Sequence, residues 1–212
     1  MGARTEKERI RLIWERIASG YDRAMRPSER FLFAGGREWV CSRARGDVLE
    51  VSVGTGVNLR HYPPEVRLAA VDISARMIGI AAQRAAALGR AVDLRVGDAE
   101  ALEFPDASFD TVVCTLALCS IPDPRAAVTE MRRVLRPGGR VLALEHGPSS
   151  NGVVRALQRA VEPLALRLFG DHLVRETARL LGEEGFAVEE VERSKLGIVE
   201  RVAARKARPG GG

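Results

Sequence analysis

Two hydrophobic patterns alternate along most of the chain. Short apolar runs rich in Val, Leu, Ile and Ala occupy 48–53, 68–73, 91–96, 111–115 and 140–144. Runs this short and this continuous predict strands buried on both faces of a parallel sheet. Helical stretches are expected between them at 59–62, 74–88 and 124–135, with another at 174–184. Strand, turn and helix repeated from Asp47 onward predict a doubly wound α/β fold. Gly89 and Gly138-Gly139 stand where helices would break. Segments 187–193 and 197–203 predict a closing antiparallel hairpin, which makes the sheet seven-stranded and mostly parallel, with helices on both faces.

Two further segments depart from this grammar. Ile10, Ile13, Trp14 and Ile17 recur at helical spacing among charged residues, so a helical cap over 1–46 begins with an amphipathic helix. Arg and Lys flank its apolar stripe, which leaves two readings: packing against the body, or peripheral contact with a membrane surface. After the fifth strand comes an insert, 149–171, that is helical and rich in Leu, Ala and Arg. Its apolar residues, Val153 to Phe169, either dock it on the sheet or wall a pocket. The tail 205–212 is polar and Gly-rich and is expected to be disordered, leaving 47–204 as the main domain.

Composition narrows the class. At 212 residues and 46% apolar content, the chain can bury one sizeable core. The longest apolar stretch, near 112–121, is far short of the roughly 20 residues that a membrane-spanning helix requires. The first fifteen residues mix charges with apolar positions and lack a secretory pattern, so a cytoplasmic location is expected. Cys41, Cys114 and Cys119 have no metal-ligand spacing, so they read as buried thiols and no metal site is predicted. The formal charge of +5 would suggest nucleic acid, but it is concentrated at the two ends. Residues 47–204 hold 19 basic and 22 acidic groups, so no coherent basic surface and no nucleic-acid partner are expected.

The candidate chemistry lies at strand ends. Glu50-Val51-Ser52-Val53-Gly54-Thr55-Gly56 places two glycines where the first strand turns toward a helix, and backbone amides approach a ligand closely there only without a Cβ. A dinucleotide fingerprint would want a third glycine where this chain has Leu59, which counts against an NAD(P)-linked oxidoreductase. Asp72 ends the second strand, where a carboxylate accepts from both hydroxyls of a ribose; an N-cap by Asp72 or Ser74 is the competing role. Asp98, in Gly97-Asp98-Ala99 after the third strand, can accept from the exocyclic amine of an adenine. Three loops at the carboxyl ends of neighbouring parallel strands form one crevice.

These motifs, with Phe104-Pro105-Asp106, Phe109-Asp110 and Val134 to Arg140, resemble class I S-adenosylmethionine (SAM)-dependent methyltransferases of the ubiquinone/menaquinone type, methyltransferase type 11. The resemblance covers most of Trp14 to Val202. Asn58 through Pro64, Cys114 through Ser120 and Glu145-His146 look similar to a branch with thiol methyltransferases and bacterial phospholipid N-methyltransferases. Ser52 and Val53 depart from the commonest pattern, and no Asn/Asp-Pro-Pro-aromatic motif follows the fourth strand, which disfavours an adenine or glutamine N-methyltransferase.

The resemblance implies a cofactor held by Glu50, Gly54, Thr55, Gly56, Asp72, Ile73, Met77, Asp98, Ala99 and Thr115. It implies that Tyr21 covers the methyl side, and that the insert walls a pocket for a small apolar or amphipathic acceptor: a thiol, a lipid amine or a quinone-like carbon. His146, at the carboxyl end of the fifth strand, is the first candidate base and His172 the second; His61 reads as a loop residue. The alternatives are a catalytically silent SAM-fold binding module and, behind it, the oxidoreductase. The number of copies in the assembly is left open.

Overall fold

The computed structural model describes residues 5–208. Its sheet contains β1 (Asp47–Val51), β2 (Arg67–Asp72), β3 (Val92–Val96), β4 (Phe109–Thr115), β5 (Leu135–His146), β6 (Phe186–Ser194) and β7 (Val199–Lys206). The order is β3-β2-β1-β4-β5-β7-β6. The first five strands pair in parallel, and β7 is antiparallel to both β5 and β6. The expected doubly wound, mostly parallel sheet is therefore present. The chain runs outward from β1 to β2 and β3, then returns to place β4 on its other side. Order reverses at β1/β4, and folds of this kind open their ligand crevice at that point.

Alternation along the strands sends neighbouring residues to opposite faces. Leu49, Val112 and Val141 join one buried cluster with Ala127, Val128 and Met131 of α4 (Pro124–Val134). Val48, Val113 and Leu142 join the other with Val40 and Cys41 of α2 (Gly36–Cys41) and Ala81 and Ala85 of α3 (Ala75–Ala87). Both faces are covered, as apolar strands of this type require.

Several details differ from the sequence expectations. β3 is exposed at Asp93, Arg95 and Val96 because it forms the sheet edge, so only the inner strands are buried on both faces. The short helix after β1 is a 3-10 turn, Val57–His61. Gly138 and Gly139 lie inside β5, which begins directly after α4; a Cβ on Gly139 would meet the carbonyl oxygens of Arg136 and Asp110 at 2.9 and 3.0 Å. Gly89 breaks α3 as expected, at φ +61°. α6 (Thr177–Glu183) precedes the hairpin. β7 continues through Arg205 and Lys206, whose partners on β5 and β6 keep the start of the expected tail ordered; 209–212 lie outside the described residues.

The amphipathic helix is much longer than its stripe. α1 covers Glu6–Phe31, capped by the Thr5 hydroxyl on the Glu8 amide, with Glu6 and Glu8 in its first turn. Its stripe turns inward over the carboxyl ends of the strands, where Ile10 is buried. The insert forms α5 (Gly152–Phe169), opened by the Asn151 side chain and closed by Gly170 in the left-handed region.

Candidate active site

The loop after β1 holds both glycines at positive φ, for different reasons. A Cβ on Gly54 (φ +55°) would meet nothing within 4 Å, so this glycine keeps open space beside the backbone. A Cβ on Gly56 (φ +77°) would come within 2.9 Å of the Leu59 side chain and 3.1 Å of Ala81, so this glycine allows the turn to pack on α3. At the end of β2, the Asp72 carboxylate accepts from the Gly54 amide at 2.8 Å and the Ser74 amide at 2.9 Å. Burial raises its pKa to about 6, against the lowering effect of those two bonds. The N-cap of α3 is Ser74, which leaves Asp72 on the cleft wall with spare acceptor capacity.

One cleft gathers Gly54, Asp72, Ile73, Met77, Asp98, Ala99 and Thr115, seven of the expected cofactor contacts, together with Tyr21. Three others do not line it. Glu50 lies wholly beneath the turn, accepting from Asn58 at 2.7 Å and the Tyr62 hydroxyl at 3.0 Å, and burial raises its pKa to about 7. The Thr55 hydroxyl donates to Asp22 of α1 at 2.6 Å, while Gly56 packs as described. These residues shape the turn from behind. Their places follow from strand alternation and from the 3-10 turn folding back across the glycine loop.

α1 closes this cleft. Ile10 and Trp14 line it, and Lys7 bridges Asp98 at 2.5 Å and Glu100 at 2.8 Å. Asp22 joins Thr55 to Arg84 of α3 at the other end of the mouth. Arg37, from α2, also faces the cleft; it is paired with Glu29 at 2.5 Å and donates to Asn58 and Thr115 at 2.9 and 3.0 Å.

A second, more apolar cavity adjoins the first, sharing Trp14, Tyr21 and Leu116 as a common wall. Met25, Phe33 and Phe169 line its far side, with Cys119, His146 and Asp171. Trp14 stacks edge-on against Tyr21, ring centroids 5.7 Å apart, and burial raises the Tyr21 pKa so that it stays a phenol. His146 Nε2 lies 3.3 Å from Asp171. Burial works to lower the His146 pKa, but Asp171 outweighs it and the net shift is upward. Ligand atoms of Cys119, His146 and Asp171 lie within 4.8 Å of one another. His172 does not join them; its ring faces Glu162 at 3.7 Å, and it lines neither cavity, because the chain turns after Asp171.

Glu145, 1% exposed, accepts from the Ala117 and Leu118 amides at 2.9 and 3.0 Å and thereby holds the loop after β4 that carries Leu116 and Cys119. Sequence reasoning left Lys7, Arg37, Cys119 and Asp171 without site roles. The one available signal was the Gly170-Asp171-His172 turn, read there for its histidine rather than its carboxylate.

Residues 49–143 match the family described as a methyltransferase domain. A phosphatidylethanolamine N-methyltransferase of Cereibacter sphaeroides is 38% identical over 55% of this chain and 58% of its own length. A thiol S-methyltransferase of Rattus norvegicus is 32% identical over 79% of this chain and 71% of its own. The chain belongs to the class I SAM-dependent methyltransferases. It spans about half the length of several curated relatives it matches. A SAM-dependent methyltransferase of Thermotoga maritima shares the fold, with a TM-score of 0.71 at 22% identity over 93% of this chain and 99% of that one. The first cleft suits this family's cofactor: open space at Gly54, a carboxylate with free acceptor capacity at Asp72, and one N–H of the Arg37 guanidinium left over after Glu29, Asn58 and Thr115.

Proposed function

We propose that this protein is an enzyme that transfers the methyl group of SAM to a small apolar or amphipathic acceptor. The observation that carries this reading is the pair of adjoining cavities, one lined by the Gly54 turn, Asp72 and Asp98, the other more apolar and holding a histidine–carboxylate pair. A sulfonium cofactor supplies an already electrophilic methyl, so the protein needs to align the reactants and exclude water. Asp72 and Asp98 would hold the nucleoside, the Gly54 turn its flank and Arg37 its carboxylate. Tyr21 and Trp14 form the partition across which the methyl is exchanged. An acceptor that loses a proton passes it to the His146–Asp171 pair, where Asp171 favours the charged imidazole. Thiols, phospholipid amines and quinol carbons are the acceptor classes in scope; relatives named for the first two are similar to this chain over most or half of it.

Calorimetric titration with SAM, S-adenosylhomocysteine and NADH, run beside Asp72→Ala, tests the cofactor half of this reading. Binding of the two sulfur nucleosides, weakened in the variant by roughly 1 to 3 kcal/mol and absent for NADH, is expected. Methyl transfer from labelled SAM to one of the three acceptor classes tests the other half. A protein that binds SAM but methylates none of them would be a cofactor-binding module.

A further inference from the structure

We propose that α5 docks this protein on an anionic lipid bilayer. None of the 18 residues of α5 is buried, although most are apolar. Val153, Leu157, Val161, Leu164 and Leu168 recur at intervals of four, four, three and four, which places them on one side of a helix. They face solvent, at 81% exposure for Val153, 63% for Leu157 and 56% for Leu164. Monomeric proteins rarely leave a contiguous apolar stripe of this length uncovered.

Charge selects the occupant. Arg167 borders the stripe at its carboxyl end, and no ion pair among the described residues engages it. The single acid of the helix, Glu162, turns inward toward His172. At the carboxyl end, Arg167 and Leu168 share a depression with Arg16 and Arg76, with Arg9, which is paired to Glu6, and with the acid Glu15. The stripe ends among three guanidinium groups that make no ion pair among the described residues, Arg167, Arg16 and Arg76, and this end complements acidic headgroups over acyl chains. The helix is tied to the body from its other side, with Gln158 donating to the Gly147 carbonyl at 3.0 Å, Arg9 to the Leu166 carbonyl at 3.2 Å, and Val154, Ala165 and Leu166 half-buried. Phe169, the last residue of α5, also lines the acceptor cavity. Docking through α5 therefore sets the cavity beside the bilayer, where amphipathic molecules partition.

Co-sedimentation with phosphatidylcholine vesicles, with and without phosphatidylglycerol, tests this on the full chain, beside the double substitution Leu157→Glu and Leu164→Glu. Light scattering reports its oligomeric state, and SAM titration reports that the variant is folded. The expected result is binding that requires phosphatidylglycerol, weakens with salt, and falls by about tenfold or more in the variant, since acidic side chains remove both the apolar contact and the charge match. SAM affinity should be unchanged, because neither leucine lines the cofactor cleft. No sedimentation with anionic vesicles overturns the proposal. Equal binding by the variant also overturns it, as does a dimer that the variant dissociates without any vesicle binding.

Discussion

At the scale of single residues, the site is governed by two carboxylates whose surroundings push in opposite directions. Burial raises the pKa of Asp72 to about 6, whereas burial at Asp171 is outweighed by His146, which lowers it. Only the ionised form of Asp72 offers both oxygens as charged acceptors to the ribose hydroxyls, so SAM affinity should be flat well above pH 6 and fall as the group takes up a proton. One unit below that value the loss should reach roughly tenfold, since about a tenth of the sites remain ionised. Titration across that range checks this; a pH-independent affinity would remove Asp72 from the ribose, and Asp72→Asn should be weak at every pH. The His146 prediction has a different sign. A base must be unprotonated, and the imidazole pKa is raised above 6.5, so turnover of a proton-losing acceptor should rise with pH and level off above that value. Asp171→Asn should move the midpoint downward, because burial is then opposed only by Glu145 and the Leu173 carbonyl. A midpoint that stays in place would assign the pair a structural role. Asp72 and Gly54 were legible in the sequence because each sits within a local strand-turn motif. Cys119, His146 and Asp171 come from separate elements, and only the fold brings them within 4.8 Å.

At the scale of elements, the strands could be read because continuous β-branched runs are a local signal, while the N-terminal helix could be read as a lid only beside other placements. The stripe from Ile10 to Ile17 predicted an amphipathic helix, but the choice between membrane and body depended on Lys7 finding Asp98 and Glu100 some ninety positions away. Likewise, nothing local told Gly138-Gly139 to continue a strand; their place in β5 is set by pairing with β4 and by the close backbone approach at Gly139. The exposed ion pairs of the lid are individually worth about 1 kcal/mol or less. Its grip on the cleft therefore rests chiefly on Ile10 and Trp14. Deleting 1–17 should leave the far-UV spectrum of the sheet intact while weakening SAM by about tenfold or more, in line with losing two large apolar side chains from the cleft wall. Full affinity in the truncated protein would mean that α1 lies over the cleft without contributing to binding.

For the molecule as a whole, the cofactor cleft is the seam between a well-packed sheet and a lightly anchored helix. Among the 26 residues of α1 only Ile10 and Ala18 are buried, whereas both faces of the central strands are covered. The lid is thus the part expected to open first on heating, with the sheet melting later. The two tryptophans report the two parts separately: Trp14 stands on α1 against Tyr21, and Trp39 on α2, beneath the Arg43 guanidinium at 3.7 Å. In Trp39→Phe the fluorescence of Trp14 should change at a lower temperature than the far-UV signal. Ligand bound in the seam ties the two parts together, and SAM at a hundredfold excess over its dissociation constant adds about 2.7 kcal/mol to stability. For a chain of this size that is a rise of roughly 5 to 10 °C in the main transition, and the Trp14 transition should merge with it. Asp72→Ala at the same SAM concentration should shift less and keep the transitions apart. Coincident transitions without ligand would mean that lid and sheet already unfold as one unit, and the lid would then have to admit the cofactor by a motion smaller than its release from the sheet.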